Sequence, residues 1–372
     1  MASAAETRAM KKALKLALSG RGNTFPNPMV GAVILDTGEN QVGEGFHLKY
    51  GAPHAEVAAI SSAGEASSAG TMVVTLEPCC HYGKTGPCTE QIIKAGISRV
   101  VIAMTDPDPR VNGEGIKQLE AAGIDVETGV LSEEARTLNR VYIHYLETST
   151  SWIILKMALS LDGRTASADG SSKWISSDAS RRLVHKKRAS VQAVMTGAGT
   201  VRDDDPELTV RLADVPPGGQ PVRIVVSSTG DFGNSRKIFN APGKVIIAVP
   251  EGIKDRLNEF KRMPEVEILE FPRDSSNPGF NLSLLLRRTA TEGLGEILCE
   301  AGSTLSTYLL KNRLVKSVSI FTSPMILGGE GKPAFERLGI GNIKDAIRLK
   351  NVSFRRSGSD FLTEGSVVYR TD

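Results

Sequence analysis

Three of the chain's four cysteines, Cys79, Cys80 and Cys88, fall within ten positions, while Cys299 lies far away. That crowding is a poor disulfide framework and fits a metal site in a reducing compartment. The flanking residues narrow the choice: Pro53-His54-Ala55-Glu56 is followed by Glu77-Pro78-Cys79 and then by Pro87-Cys88. Borderline-soft zinc favours imidazole and thiolate, and a catalytic site needs three protein ligands with the fourth position open to water. His54, Cys79 and Cys88 supply that count, so any fold must bring these three side chains to one point.

Glu56 follows the histidine by two residues near the start of a helix. It can reach the bound water without ligating the metal. His-x-Glu followed by Pro-Cys is the arrangement of zinc deaminases, in which a zinc-activated water attacks an amino-bearing ring carbon. Glu56 is then the proton shuttle, first to the ring nitrogen and later to departing ammonia. A structural zinc site is the competing reading, with Cys80 or His81 as fourth ligand. Adjacent Cys79 and Cys80 side chains would struggle to share one metal, and Glu56 would then have no task.

A length of 372 residues exceeds one ordinary core, so two domains are expected. The net charge of +3 gives no prior for nucleic acid or a membrane surface. A nucleic-acid deaminase is disfavoured further, because no basic, aromatic-rich stripe runs along the chain. No apolar run approaches the roughly 20 residues of a membrane-spanning helix. The segment 4–19 reads as an amphipathic helix with Met10, Ala13, Leu14, Ala17 and Leu18 on one face, not as a secretory signal.

Strand and helix patterns alternate after that. Strands are expected at 29–35, 41–46, 71–76, 99–104 and 124–127, with helices at 54–62, 89–95 and 115–122. This order implies a layered α/β domain. An exit helix over 138–151 leads to a second unit opening with a strand at 152–158. Further strands are expected at 193–196, 223–227, 244–249, 296–299 and 317–322, and helices at 180–189 and 304–311. Gly197-Ala198-Gly199-Thr200 and Glu300-Ala301-Gly302-Ser303-Thr304 are turns that can bring backbone N–H groups to a phosphate, although neither carries the full dinucleotide fingerprint. Asp203-Asp204-Asp205 reads as solvated acid, not as a metal site.

The stretch from Thr75 to Cys88 closely resembles the riboflavin-biosynthesis bifunctional deaminase–reductase family. So do Pro26-Asn27-Pro28-Met29-Val30-Gly31, Asp106-Pro107-Asp108-Pro109, Leu138-Asn139-Arg140 and the segment 156–165. The resemblance covers nearly the whole chain. It implies a three-layer α/β/α cytidine-deaminase-like domain (1–146), then a dihydrofolate-reductase-like α/β domain (147–372). The first would deaminate a diaminopyrimidinone ribosylamino phosphate, and the second would reduce the ribosyl group of the aminouracil to ribityl with NADPH. It also implies zinc at His54, Cys79 and Cys88, with Asn27 and the 81–85 loop lining the pyrimidine and phosphate pocket. Asn27 could equally be a turn residue before Pro28. In the reductase half it implies NADPH contacts at Ala158, Trp174, Thr200, Asp204, Ser228, Gly302, Ser303 and Thr304. Ser172, Arg188, Leu208, Arg211 and Glu300 would contact the sugar phosphate, with the two arginines as forked donors.

Departures from the family pattern are the Thr85-Gly86-Pro87 stretch, Asp108, Ser227 where Asp is frequent, and Ala301 where Gly is frequent. The last two leave open an alternative, a deaminase whose C-terminal domain no longer reduces. A cytoplasmic homo-oligomer acting on a small phosphorylated pyrimidine is expected, with a plastid location if a targeting segment has been removed.

Overall fold

The computed structural model describes residues 1–82, 86–172, 175–233, 236–275 and 279–370. The chain divides into two compact units, Met1–Ser149 and Thr150–Asp372.

In the first unit, α1 (Ala4–Ala17) opens on a capping box. Ser3 accepts the Glu6 amide, and the Glu6 carboxylate accepts the Ser3 amide in return. Next come β1 (Gly31–Leu35), β2 (Gln41–Phe46), α2 (Ala55–Ala63), β3 (Thr71–Val74) and α3 (Cys88–Lys94). After them lie β4 (Arg99–Ile102), α4 (Glu114–Ala121), β5 (Asp125–Thr128), α5 (Ser132–Leu138) and α6 (Arg140–Thr148). The strands form one sheet in the order β2-β1-β3-β4-β5, with β1 antiparallel to both neighbours and β3, β4 and β5 parallel. Side chains alternate across the pleat. Val33, Val73 and Val101 join Met10, Ala13 and Tyr142 on one face, while Ile34, Met72 and Ile102 join Ala59, Ile92 and Leu119 on the other. Helices therefore cover both faces, giving the three expected layers.

Glycine sets the depth of α2. A Cβ at Gly45 would fall 2.5 Å from both the Ala55 carbonyl oxygen and the Ala59 amide nitrogen, so only a bare backbone lets α2 lie on β2.

The second unit contains β6 (Trp152–Leu159), β7 (Arg164–Ala166), α7 (Asp178–Arg188), β8 (Ala193–Gly197), α8 (Ala198–Asp204) and β9 (Val222–Val226). There follow α9 (Lys237–Asn240), β10 (Val245–Pro250), β11 (Val266–Phe271), α10 (Leu282–Thr291), β12 (Glu296–Glu300) and α11 (Ser303–Lys311). The chain closes with β13 (Val315–Thr322), β14 (Lys332–Pro333), β15 (Arg348–Ser357) and β16 (Asp360–Val368). A nine-stranded sheet runs β11-β10-β9-β8-β12-β6-β13-β16-β15. It is parallel from β11 to β13, and β16 and β15 complete it antiparallel. Leu285, Leu286 and Leu309 pack on one face, and Val201, Ile238 and Phe239 on the other. Among the described residues no helix is long and apolar enough to cross a membrane.

Candidate active sites

His54 is the residue that precedes α2, in extended backbone, so its ring projects from the helix start. Cys79 lies on the loop leaving β3, and Cys88 opens α3. Their ligand atoms converge: His54 Nδ1 is 3.5 Å from Cys79 Sγ and 3.3 Å from Cys88 Sγ, and the Cys88 amide donates to Cys79 Sγ at 3.4 Å. A tetrahedral ion with bonds of about 2.3 Å to sulfur and 2.0 Å to nitrogen needs S···N edges of about 3.5 Å. The residues present fit zinc. Among the described residues, this is the one group of three or more His, Cys, Asp and Glu side chains close enough to hold a metal. Cys80 turns instead towards the Arg110 carbonyl, 3.8 Å away, so the four-ligand reading lacks its fourth member. Cys88 and His54 together hold the Cys79 thiol down at about 4 against burial, making it a ready thiolate ligand.

Glu56, on the first turn of α2, is 3% exposed. Burial pushes its carboxyl up to about 7, and a bound dication would draw it back. It is thus poised to take and return a proton near neutrality.

Two residues that sequence reasoning gave no task organise this centre. The Glu77 carboxylate, 3% exposed, accepts the backbone amides of Asp106, Gly113, Gly115 and Ile116 at 2.9–3.2 Å. It ties the loop before α4 to the Pro78-Cys79 turn. Gly115 completes the fit, since a Cβ there would lie 2.2 Å from the Pro78 carbonyl oxygen. His47 is the other. Its Nδ1 lies 3.1 Å from the Pro53 carbonyl and must donate to it, so the neutral ring accepts at Nε2 from Asn27 Nδ2, 3.2 Å away. Asn27 is also the turn residue its alternative reading required, because its amide donates to Thr24. His81 Nδ1 is buried with no hydrogen-bond partner among the described residues. The remainder of the expected 81–85 pocket loop, 83–85, lies outside them.

In the second unit a cleft of 1280 Å³ opens along the ends of β6, β8, β9 and β12. Ala158, Thr200, Asp204, Ser228, Gly302, Ser303 and Thr304 line it, together with Ser172, Arg188, Leu208, Arg211 and Glu300. Trp174 lies outside the described residues. Gly302 caps α11, and its amide donates to Thr200 Oγ1 at 3.2 Å, joining the two glycine-containing turns. Ser172 Oγ donates to Asp204 at 2.8 Å.

Glu300 sits between two cations, with Lys156 Nζ 3.4 Å away and Arg188 forked onto it. Burial pushes its carboxyl up, but Arg188 and Lys156 prevail and hold it at about 2. The fork of Arg188 is therefore engaged by the protein, with Nη1 donating to the Thr209 carbonyl at 2.9 Å. Arg211, the other expected phosphate donor, has a side chain 47% exposed, and its Nη1 donates to Glu207 at 2.6 Å and to Thr209 Oγ1 at 3.0 Å.

The acidic run has separate partners. Asp203 pairs with Lys332, Asp204 accepts from Ser172, and Asp205 accepts the amides of Arg236 and Lys237. Ser227, one of the departures from the family pattern, accepts from the Thr229 and Gly230 amides and so caps the turn after β9. Ala301 keeps its carbonyl as an acceptor for Ser306 Oγ.

Residues 3–104 match the cytidine and deoxycytidylate deaminase zinc-binding region, and residues 151–363 match the RibD C-terminal domain. The chain is 39% identical to the riboflavin biosynthesis protein RibD of Aquifex aeolicus over 354 residues, covering 95% of this chain and 96% of the relative. Against RibD of Escherichia coli it is 38% identical over 362 residues, covering 94% and 96%. The solved structure of Acinetobacter baumannii RibD superposes with a TM-score of 0.85 at 35% identity, covering 98% of this chain and 99% of that one. A Thermotoga maritima diaminohydroxyphosphoribosylaminopyrimidine deaminase/5-amino-6-(5-phosphoribosylamino)uracil reductase gives 0.83 at 36% identity, covering 97% and 98%. Fold and sites define a two-domain enzyme, a zinc-dependent deaminase followed by an NADPH-dependent reductase. Within that class, the chain belongs to the RibD family of riboflavin biosynthesis proteins.

Proposed function

We propose that this protein deaminates a diaminopyrimidinone ribosylamino 5'-phosphate to the aminouracil, then reduces its ribosyl group to ribityl with NADPH. The convergence of His54, Cys79 and Cys88 beside buried Glu56 carries the first half of the reading. Zinc, when bound by those three residues, supplies the Lewis acidity that makes water a nucleophile near neutral pH. Glu56 takes one proton from the attacking water and delivers it to the ring nitrogen, then takes the second from the newly attached hydroxyl and delivers it to the departing amino group, which leaves as ammonia. Asn27, oriented by His47, and His81, whose Nδ1 has no hydrogen-bond partner among the described residues, hold the pyrimidine.

In the reductase unit NADPH supplies the hydride, and the protein supplies orientation. Ala158, Trp174, Thr200, Asp204, Ser228 and the turn Gly302-Ser303-Thr304 contact the cofactor in this reading. Arg211 reads the sugar phosphate, while Glu300 accepts from the sugar and Arg188 holds Glu300 in place. Ser172 and Leu208 complete the wall.

A deaminase domain over 1–146 and a reductase domain over 147–372 are supported by the two compact units, Met1–Ser149 and Thr150–Asp372. The bacterial relatives support a cytoplasmic location. The exposed outer strand β15, with Phe354 75% exposed, supports a homo-oligomer, which sedimentation tests. The enzymatic reading is tested by following ammonia and NADPH separately with the zinc-loaded enzyme. NADPH bound but never oxidised would favour a monofunctional deaminase.

A further inference from the structure

The segment Thr209–Arg211 runs beside the reductase cleft, which Leu208 and Arg211 line, outside any strand, so its backbone must find partners elsewhere. Side chains provide them. Arg188 donates to the Thr209 carbonyl at 2.9 Å. Gln220 accepts the Val210 amide at 2.7 Å and donates to the Val210 carbonyl at 3.0 Å. His185 Nδ1 accepts the Arg211 amide at 2.9 Å. The segment enters through Leu208, which is buried in a left-handed conformation (φ 54°) that a non-glycine residue holds only when its surroundings over-determine it. His185 lies one turn before Arg188 on α7, is 6% exposed, and lines the same cleft as Arg211.

We propose that His185 is a positioning residue for the reductase, fixing the Arg211 backbone so that its guanidinium meets a phosphate monoester of the substrate sugar. This rests on the reading of Arg211 as the phosphate contact. Only a neutral imidazole has a lone pair at Nδ1 to accept the amide, and its proton then resides on Nε2. The surroundings keep the ring neutral. Burial, then Arg188 on its own helix and Arg211 on the facing segment, push it down to about 4, with Lys156 of β6 adding to this and Glu300 of β12 opposing it. The sequence gives no hint of this role, because His185 stands in the basic run Arg181-Arg182-Leu183-Val184-His185-Lys186-Lys187-Arg188, where no motif singles it out.

The test is steady-state NADPH oxidation by the full-length enzyme with the phosphorylated aminouracil. His185→Phe keeps a ring but offers no acceptor, and His185→Asn places an oxygen where Nδ1 stood. His185→Phe is expected to raise the substrate KM about tenfold, the scale of one unsatisfied buried amide. Its kcat should stay within about threefold and the KM for NADPH should not change. His185→Asn should restore the substrate KM. If His185 acts through Arg211, His185→Phe adds little to the KM of Arg211→Ala.

A raised KM in Arg211→Ala with an unchanged KM in His185→Phe overturns the role of His185 and leaves the reading of Arg211 standing. An unchanged KM in Arg211→Ala overturns that reading itself. Equal losses of kcat in the Phe and Asn variants would mark His185 as a packing residue only and also overturn the proposal.

Discussion

The guanidinium of Arg188 forks onto the carboxylate of Glu300, with Nε 2.6 Å from one oxygen and Nη2 3.1 Å from the other. Each side chain is 10% exposed, so this pair is desolvated on both sides. Removing one member of a buried pair strands the other charge, a loss of about 3–5 kcal/mol, and Lys156 offsets part of it here. Arg188→Ala is expected to destabilise the reductase unit by about 2–3 kcal/mol. Urea unfolding read by loss of NADPH binding checks this. An unchanged midpoint would mean that the pair contributes nothing to the fold.

Glu56→Gln keeps the shape of the buried side chain and removes its proton chemistry. Zinc content should match the wild type, while ammonia release falls by about 10²–10⁴-fold, the usual contribution of a general acid–base group. NADPH oxidation on supplied aminouracil should be unaffected. Metal analysis beside an ammonia assay distinguishes this outcome from loss of the metal.

Gly115 has no room for a methyl group against the Pro78 carbonyl. Gly115→Ala is expected to push the Pro78-Cys79 turn away from His54 and to cost about 1–3 kcal/mol, as overpacking does. Because Cys79 is carried on that turn, zinc affinity should fall along with stability. Competition with a chromophoric chelator measures it, and unaltered affinity would show that the turn adjusts without moving the thiol.

Burial, with Arg188 and Arg211 beside it, pushes the His185 imidazole down to about 4 in the folded protein, against about 6.5 for the unfolded chain. Between those values the unfolded chain binds the extra proton, so stability is full above about pH 6.5 and falls as pH drops towards 4. His185→Asn keeps the acceptor and loses this titration. The melting temperature of the wild type should therefore fall more steeply than that of the variant between pH 6.5 and 4. Parallel curves would contradict the assigned shift.

Much of this was legible in the chain. The apolar run 29–35 ends at the turn Asp36-Thr37-Gly38 and holds β1, and Gln41–Phe46 returns antiparallel beside it as β2. His54, Glu56, Cys79 and Cys88 were readable because zinc chemistry dictates both residue type and count. The C-terminal strands were not: β15 is exposed along nearly its whole length and carries Arg, Lys, Asn and Ser, so it shows no buried face to alternate against. Helix α10 was overlooked although its signals are present. Asn281 caps it by accepting the Ser283 amide, and Leu282, Leu285, Leu286, Thr289 and Ala290 share a buried face. Glu77, His47 and His185 escaped for another reason. Each acts by holding backbone or another side chain across a long sequence separation, and no local spacing encodes that.

The most direct test of the account is anaerobic turnover of the diaminopyrimidinone phosphate by zinc-loaded enzyme, with ammonia and NADPH oxidation followed separately. Ammonia release should not require NADPH, and equal amounts of ammonia and oxidised NADPH should form when the cofactor is present. Zinc bound at full occupancy with no ammonia released would contradict the deaminase assignment.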